Sequence, residues 1–161
     1  MLGQKVLLNQ MPIAIKDSKI DISSEETTKE LAKDLTHYLK GGEIIYLYGE
    51  MGVGKTTFVR YLINQFQKNK KLHITEVTSP TFNLLNEYDI NDLVIKHYDL
   101  FRLKDESEII NLDLFENNQN TITLIEWPQL ISKNKSIKTI DLIFSYENEL
   151  NNRSVKIDGL N

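Results

Sequence analysis

Cysteine is missing from all 161 residues, which excludes disulfide staples and thiolate metal sites. Positive charge is not in excess either: 19 lysines and arginines stand against 23 aspartates and glutamates, for a formal net charge of −4. Phosphate contacts need a basic face, so free-standing binding of nucleic acid is disfavoured. The one basic run, QKNKK at Gln67 to Lys71, reads as a solvated helix end. Long apolar runs are lacking too. The longest, near Ile44 to Tyr48, is far too short to span a bilayer. The opening MLGQKVLLNQMPIAI has one early lysine, but Asn9, Gln10 and Pro12 interrupt it. No signal peptide is read there, and a cytoplasmic protein without a membrane anchor is expected. There is no internal repeat; ENNQN at Glu116 to Asn120 is a short polar loop.

What is present is the composition of an ordinary globule, 26% charged and 40% hydrophobic. The length fits one domain over residues 1–161 with a real core, residues 1–21 being an extension of uncertain role. The stretch SSEETTKELAKDLTHYLKGG reads as a helix, with Ser23 and Glu26 as a capping box and Gly41 and Gly42 as its stop. EIIYLY, Glu43 to Tyr48, reads as a buried central strand. Val59, Leu62, Ile63 and Phe66 recur at helical spacing, which predicts a helix from about Lys55 to Lys68. Two strands, about Phe82 to Tyr88 and Leu93 to Tyr98, flank a turn at DIND. A helix follows in KDESEIINLDLF, with Asp105 as cap and Glu108 three residues on. TITLIE, Thr121 to Glu126, is a second buried strand, and KTIDLIFSY and RSVKI are the last two. Interleaved helices and strands make the class α/β, and the hairpin makes the sheet mixed.

Between the first buried strand and its helix lies GEMGVGKTTF. Gly49 to Thr56 fits G-x-x-x-x-G-K-[ST], the phosphate-binding loop. Di- and triphosphate oxygens need several inward backbone N–H groups, and glycines allow the chain to wrap that closely. The helix opening at Lys55 adds its N-terminal dipole. Lys55, expected to lie exposed on the loop, can reach the β- and γ-phosphates, and the Thr56 hydroxyl can ligate Mg²⁺. The bland alternative is a glycine-rich turn, but this match sits after a buried strand and before a helix, where the chemistry needs it. GTPases commonly carry N-K-x-D; NKKL at Asn69 and NKSI at Asn134 lack the aspartate, so ATP is favoured.

An enzyme built on a phosphate-binding loop needs an acid at the end of a second strand. Glu126 ends TITLIE and Asp99 follows LVIKHY, and the residues alone leave both open. SPTF at Ser79 to Phe82 reads first as a turn entering a strand, and alternatively as a switch-like loop with hydroxyls toward a γ-phosphate. His37, His73 and His97 show no ligand spacing and read as structural or solvated. Trp127 reads as a core anchor rather than a functional group, although it stands beside Glu126.

GEMGVGKTTFVR, TSPTFNLLNEY, HYDLFRL and LIEWPQLI, in that order, resemble the bacterial TsaE family, formerly YjeE, over roughly Ser24 to Leu130. The resemblance implies a small P-loop NTPase-like three-layer domain with a mixed sheet. It implies a weak Mg-dependent ATPase required with TsaD and TsaB to form N6-threonylcarbamoyladenosine at position 37 of tRNAs reading codons that begin with A. Nucleotide contacts would then fall on Glu50, Met51, Gly52, Val53, Gly54, Lys55, Thr56 and Thr57, and on a first-helix hydroxyl that aligns with Thr27. Mg²⁺ would fall on Thr56 and Glu126. Lys55, Asp99 and Glu126 would form the catalytic group, Asp99 being associated with hydrolysis. With an acidic chain, the tRNA would be held mainly by the partners. Docking is expected on the nucleotide edge, lined by SPTF and the Glu126–Trp127 pair, with Trp127 as an aromatic anchor. Arg60 and Arg102 fall within the quoted motifs and neither reads as an arginine finger, so charge at the γ-phosphate would be completed in trans. Two readings compete: a small-molecule or nucleoside kinase, weakened by having only Arg60, Arg102 and Arg153, and a GTPase-like switch, weakened by the missing guanine motif.

Overall fold

The apolar run Ile44–Tyr48 forms a central strand, with Ile45 and Leu47 on one face of the sheet and Ile44 and Tyr46 on the other. A strand buried on both faces must be apolar at every position, which is why this run shows no polar alternation. The computed structural model describes residues 19–116, 119–132, 139–149 and 151–160. The first 18 residues of the extension and part of the 116–120 loop lie outside them. In chain order the elements are β1 (Lys19–Asp21), α1 (Glu25–Leu35), β2 (Ile44–Tyr48), α2 (Lys55–Asn69), β3 (Leu85–Ile90) and β4 (Leu93–Asp99). There follow α3 (Glu106–Ile110), β5 (Thr121–Glu126), a 3₁₀ turn at Pro128–Leu130, β6 (Thr139–Tyr146) and β7 (Arg153–Asp158).

Among the described residues seven strands make one mixed sheet in the order β1-β7-β6-β2-β5-β4-β3. Its centre, β6-β2-β5-β4, is parallel, and the outer pairs β3–β4, β6–β7 and β1–β7 are antiparallel. The class is α/β, as read. Helices α1 and α2 pack together over one face, where Leu31, Leu35, Val59, Leu62 and Ile63 meet Leu47, Leu124 and Leu142 in one aliphatic cluster. Short α3 and adjoining loops cover the other face through Leu100, Ile109, Leu114 and Ile131. Three layers result.

Three local readings need correction. The first helix is capped by Ser24, not Ser23; Ser24 Oγ accepts the Thr27 N–H at 3.2 Å. Ser23 is engaged elsewhere, its hydroxyl accepting the Arg153 N–H at 3.0 Å. That helix also ends at Leu35 rather than at the glycines. The Thr36 hydroxyl bonds back to Lys33 O at 2.6 Å, and His37 and Tyr38 close tighter turns onto Asp34 and Leu35. The strand expected from Phe82 starts at Leu85, because Leu84 N–H closes a turn onto Pro80 O with Leu84 left-handed at φ 67°. The extension supplies β1, a polar three-residue edge strand with no sequence signature. The end of α2 is solvated as expected, except that Gln67 turns inward to bond Thr75. Among the described residues no helix is long and apolar enough to cross a membrane.

Candidate functional site

The parallel strands β2, β5 and β4 end side by side, Leu47 opposite Glu126 and Glu126 opposite Asp99. The glycine-rich loop leaves β2 at this edge and returns into α2. Its backbone is left-handed at Gly49 (φ 145°), Gly52 (φ 80°) and Gly54 (φ 117°). Gly49 is required by packing: a Cβ there would lie 2.9 Å from both Phe144 O and Val53 Cγ1. Gly54 is the N-cap of α2 and has no side chain to accept from the first-turn N–H groups. These groups, on Lys55, Thr56 and Thr57, open onto a cleft of about 370 Å³. That is the anion-binding arrangement the loop pattern requires.

Lys55 is not the exposed loop lysine expected from sequence; it is 5% exposed. Its ammonium donates to Gly49 O and sits 3.4 Å from the centre of the Trp127 ring. Burial pulls its pKa below the ordinary lysine value, and the charges of Glu126 and Asp99 act in opposition. Trp127 reaches this place because its own backbone is left-handed, φ 58°, just before Pro128. A bulky residue in that region is strained, and such strain concentrates at functional sites. The Phe101 ring packs against the indole at a 51° tilt, centroids 4.9 Å apart.

Two carboxylates face the loop. Glu126 is 1% exposed and accepts the Thr56 hydroxyl on Oε1 at 3.0 Å. Its Oε2 lies 3.0 Å from His97 Nε2. Asp99, also buried, accepts Ser79 Oγ on Oδ2 at 2.7 Å and the Phe101 N–H on Oδ1 at 3.0 Å. Ser79 in turn lies 3.1 Å from the Thr81 hydroxyl. The SPTF segment is thus a turn, as first read, and its hydroxyls also border the cleft. Thr56 and Glu126 together present adjoining oxygen donors, the hard ligand type that suits Mg²⁺. Magnesium is commonly held by one or two carboxylates plus substrate phosphates, so this small donor set fits it. No cluster of three or more His, Cys, Asp or Glu suited to a metal occurs among the described residues.

Of the sequence-selected residues, Met51, Gly52, Gly54, Lys55, Thr56, Thr57, Asp99 and Glu126 line this cleft. Val53 does not; its side chain is fully buried in the core. Glu50 is exposed, its carbonyl accepting the Val53 N–H. Thr27 sits in the first turn of α1, its hydroxyl 2.7 Å from Ser24 Oγ, and is not among the lining residues. Glu126 is too deeply buried to form part of a docking surface, whereas Phe82, Met51 and Phe101 are exposed beside the cleft. Arg102 is tied to Phe82, through its carbonyl at 3.1 Å and its ring. Two residues were missed. His97, read as structural or solvated, is fully buried beside Glu126. Arg153, distant in sequence from every motif, borders the cleft, Nη1 falling 3.5 Å from where a Gly54 Cβ would be. The β6–β7 hairpin places it there by pairing Arg153 with Tyr146, and no local pattern announces that.

Residues 22–155 match the profile of a family described as Threonylcarbamoyl adenosine biosynthesis protein TsaE. The chain belongs to the TsaE family. A Rickettsia conorii protein named tRNA threonylcarbamoyladenosine biosynthesis protein TsaE is 44% identical over 110 residues, which is 68% of this chain. The match spans only 61% of that relative's own length. The Bacillus subtilis protein of the same name is 36% identical over 120 residues, covering 74% of this chain and 72% of the relative. The crystal structure of Bacillus subtilis YdiB superposes with a TM-score of 0.68 at 23% identity, covering 91% of this chain and 87% of that one. At that identity the likeness is one of fold.

Proposed function

We propose that this chain, as one domain, is a cytoplasmic Mg-dependent ATPase that works as an accessory protein with TsaD and TsaB in forming N6-threonylcarbamoyladenosine at position 37 of tRNAs reading codons that begin with A. One observation carries the reading. The buried Lys, His, Asp and Glu residues of the described chain, namely Lys55, His97, Asp99 and Glu126, all gather at the phosphate loop. Charged groups are almost never fully buried unless they are paired or used. The Gly54 cap and the first turn of α2 supply N–H donors for phosphate oxygens. Lys55 is held by a carbonyl and a ring face, both weaker partners than a phosphate, so exchange to a phosphate is favourable. Thr56 and Glu126 provide the donors for Mg²⁺, which when bound neutralises charge on the phosphates. Asp99, which accepts hydrogen bonds from Ser79 and the Phe101 amide, orients the attacking water in this reading. Arg102 is committed to Phe82, and Arg153, at the Gly54 end of the cleft, donates to Ser23 O at 3.5 Å, so the γ-phosphate charge is completed by a partner and hydrolysis by the chain alone is weak. The tRNA is carried by the partners, in keeping with the net charge of −4.

The alternative is a small-molecule or nucleoside kinase. Incubation with Mg-ATP and a metabolite pool, read by mass spectrometry, separates the two. The accessory-ATPase reading predicts ADP and inorganic phosphate only; a phosphorylated small molecule would overturn it.

A further inference from the structure

We infer that His97 is a positioning residue that fixes the Glu126 carboxylate for cation binding. This rests on the reading that Thr56 and Glu126 hold Mg²⁺. The terminal torsion of a glutamate is broad and roughly twofold, so its rotamer does not set the plane of the carboxylate. Hydrogen bonds must do so. Glu126 is held from two sides, by the Thr56 hydroxyl at 3.0 Å from Oε1 and 3.4 Å from Oε2, and by His97 at 3.0 Å from Oε2. A carboxylate only accepts, so His97 carries its hydrogen on Nε2. That leaves Nδ1 facing the interior with no hydrogen-bond partner among the described residues.

The two holds differ in kind. Thr56 lines the cleft and is itself a candidate ligand, whereas His97 is 0% exposed and lies outside the lining. The grip of His97 is therefore independent of what the cleft contains. Sheet register explains the reach. His97 on β4 pairs with Leu124 on β5, so its side chain shares a face with Glu126 two residues further on. An apolar residue would fill this interior position without the cost of a half-satisfied imidazole. The imidazole is accounted for by what it does to Glu126, and partners of this kind commonly govern metal affinity.

The test is calorimetric titration of ADP into the full chain, with Mg²⁺ and with EDTA. The quantity read is the ratio of the two affinities. Wild type should show a clear gain with Mg²⁺. His97→Leu should cut that gain by about 10- to 100-fold while leaving the EDTA affinity unchanged. His97→Gln, whose amide nitrogen extends as far as Nε2, should restore most of it. His97→Asn, whose amide falls short, should not. If His97→Leu does not fold, the Gln and Asn pair decides. An undiminished gain in His97→Leu, equal gains in Gln and Asn, or equal losses with Mg²⁺ and EDTA would overturn the inference and leave the Mg²⁺ site standing. Wild type without any gain from Mg²⁺ would instead remove the Mg²⁺ site, and the inference with it.

Discussion

Two regions of this molecule are built by opposite rules. Under α1 and α2 the sheet is lined by aliphatic side chains such as Leu47, Leu62, Ile63 and Leu142, all fully buried. The carboxyl edge of the same sheet instead buries Lys55, His97, Asp99 and Glu126. It also holds left-handed backbone at Gly49, Gly54 and Trp127. The first region lowers the free energy of the folded state by removing apolar surface from water. The second spends conformational strain and desolvation to hold charges in place. A substitution should therefore report which region it is in: stability without chemistry in one, chemistry without stability in the other.

The largest separation is expected in the aliphatic layer. Leu142→Ala, in the central parallel sheet, should destabilise the fold by about 2–5 kcal/mol, measured by denaturant unfolding. ATP affinity of the molecules that remain folded should not change. Asp99→Asn should do the reverse, sparing nucleotide binding and depressing hydrolysis about 10²-fold, as expected when acid–base or water-orienting help is lost. Wild-type turnover in that variant would remove Asp99 from the chemistry. Lys55→Ala should weaken ATP binding by about 1.5–3 kcal/mol, roughly 10- to 150-fold, by isothermal titration. Its fold should survive for a reason the buried site makes plain: burial holds the Lys55 pKa below its usual value, so the charged form is penalised in the folded state at neutral pH. That penalty is relieved as pH rises through the lowered value toward the ordinary lysine range, so the variant's stability advantage should shrink on the alkaline side. Trp127→Ala should change ATP affinity less than Lys55→Ala does, because it removes one cation–π contact and leaves the Lys55 charge for the phosphates. It should remain folded yet lose support for tRNA modification. Global unfolding would return Trp127 to the role of core anchor.

The same contrast explains what could be read from the sequence. The phosphate loop, its buried strand Ile44–Tyr48 and the strand ending in Glu126 are local patterns, written in consecutive residues. So were Asp105 as a cap, confirmed by its bond to the Ser107 N–H, and the hairpin turn before Leu93. What could not be read depends on pairing between distant strands. Arg153 reaches Gly54 only through the β6–β7 hairpin, and His97 meets Glu126 only through the β4–β5 register. The burial of Lys55 follows from the left-handed turn at Trp127, some seventy residues later, which brings the indole back over the loop. β1 was illegible for another reason: Lys19 and Asp21 are exposed, so a three-residue edge strand needs no apolar pattern.

The most direct measurement is tRNA threonylcarbamoylation by TsaD and TsaB over several turnovers, with this chain, without it, and with Lys55→Ala in its place. The account predicts sustained modification with the wild-type chain alone among the three. Sustained modification in its absence, or with Lys55→Ala, would contradict the claim that the buried charges at the loop serve an ATPase on which the modification depends.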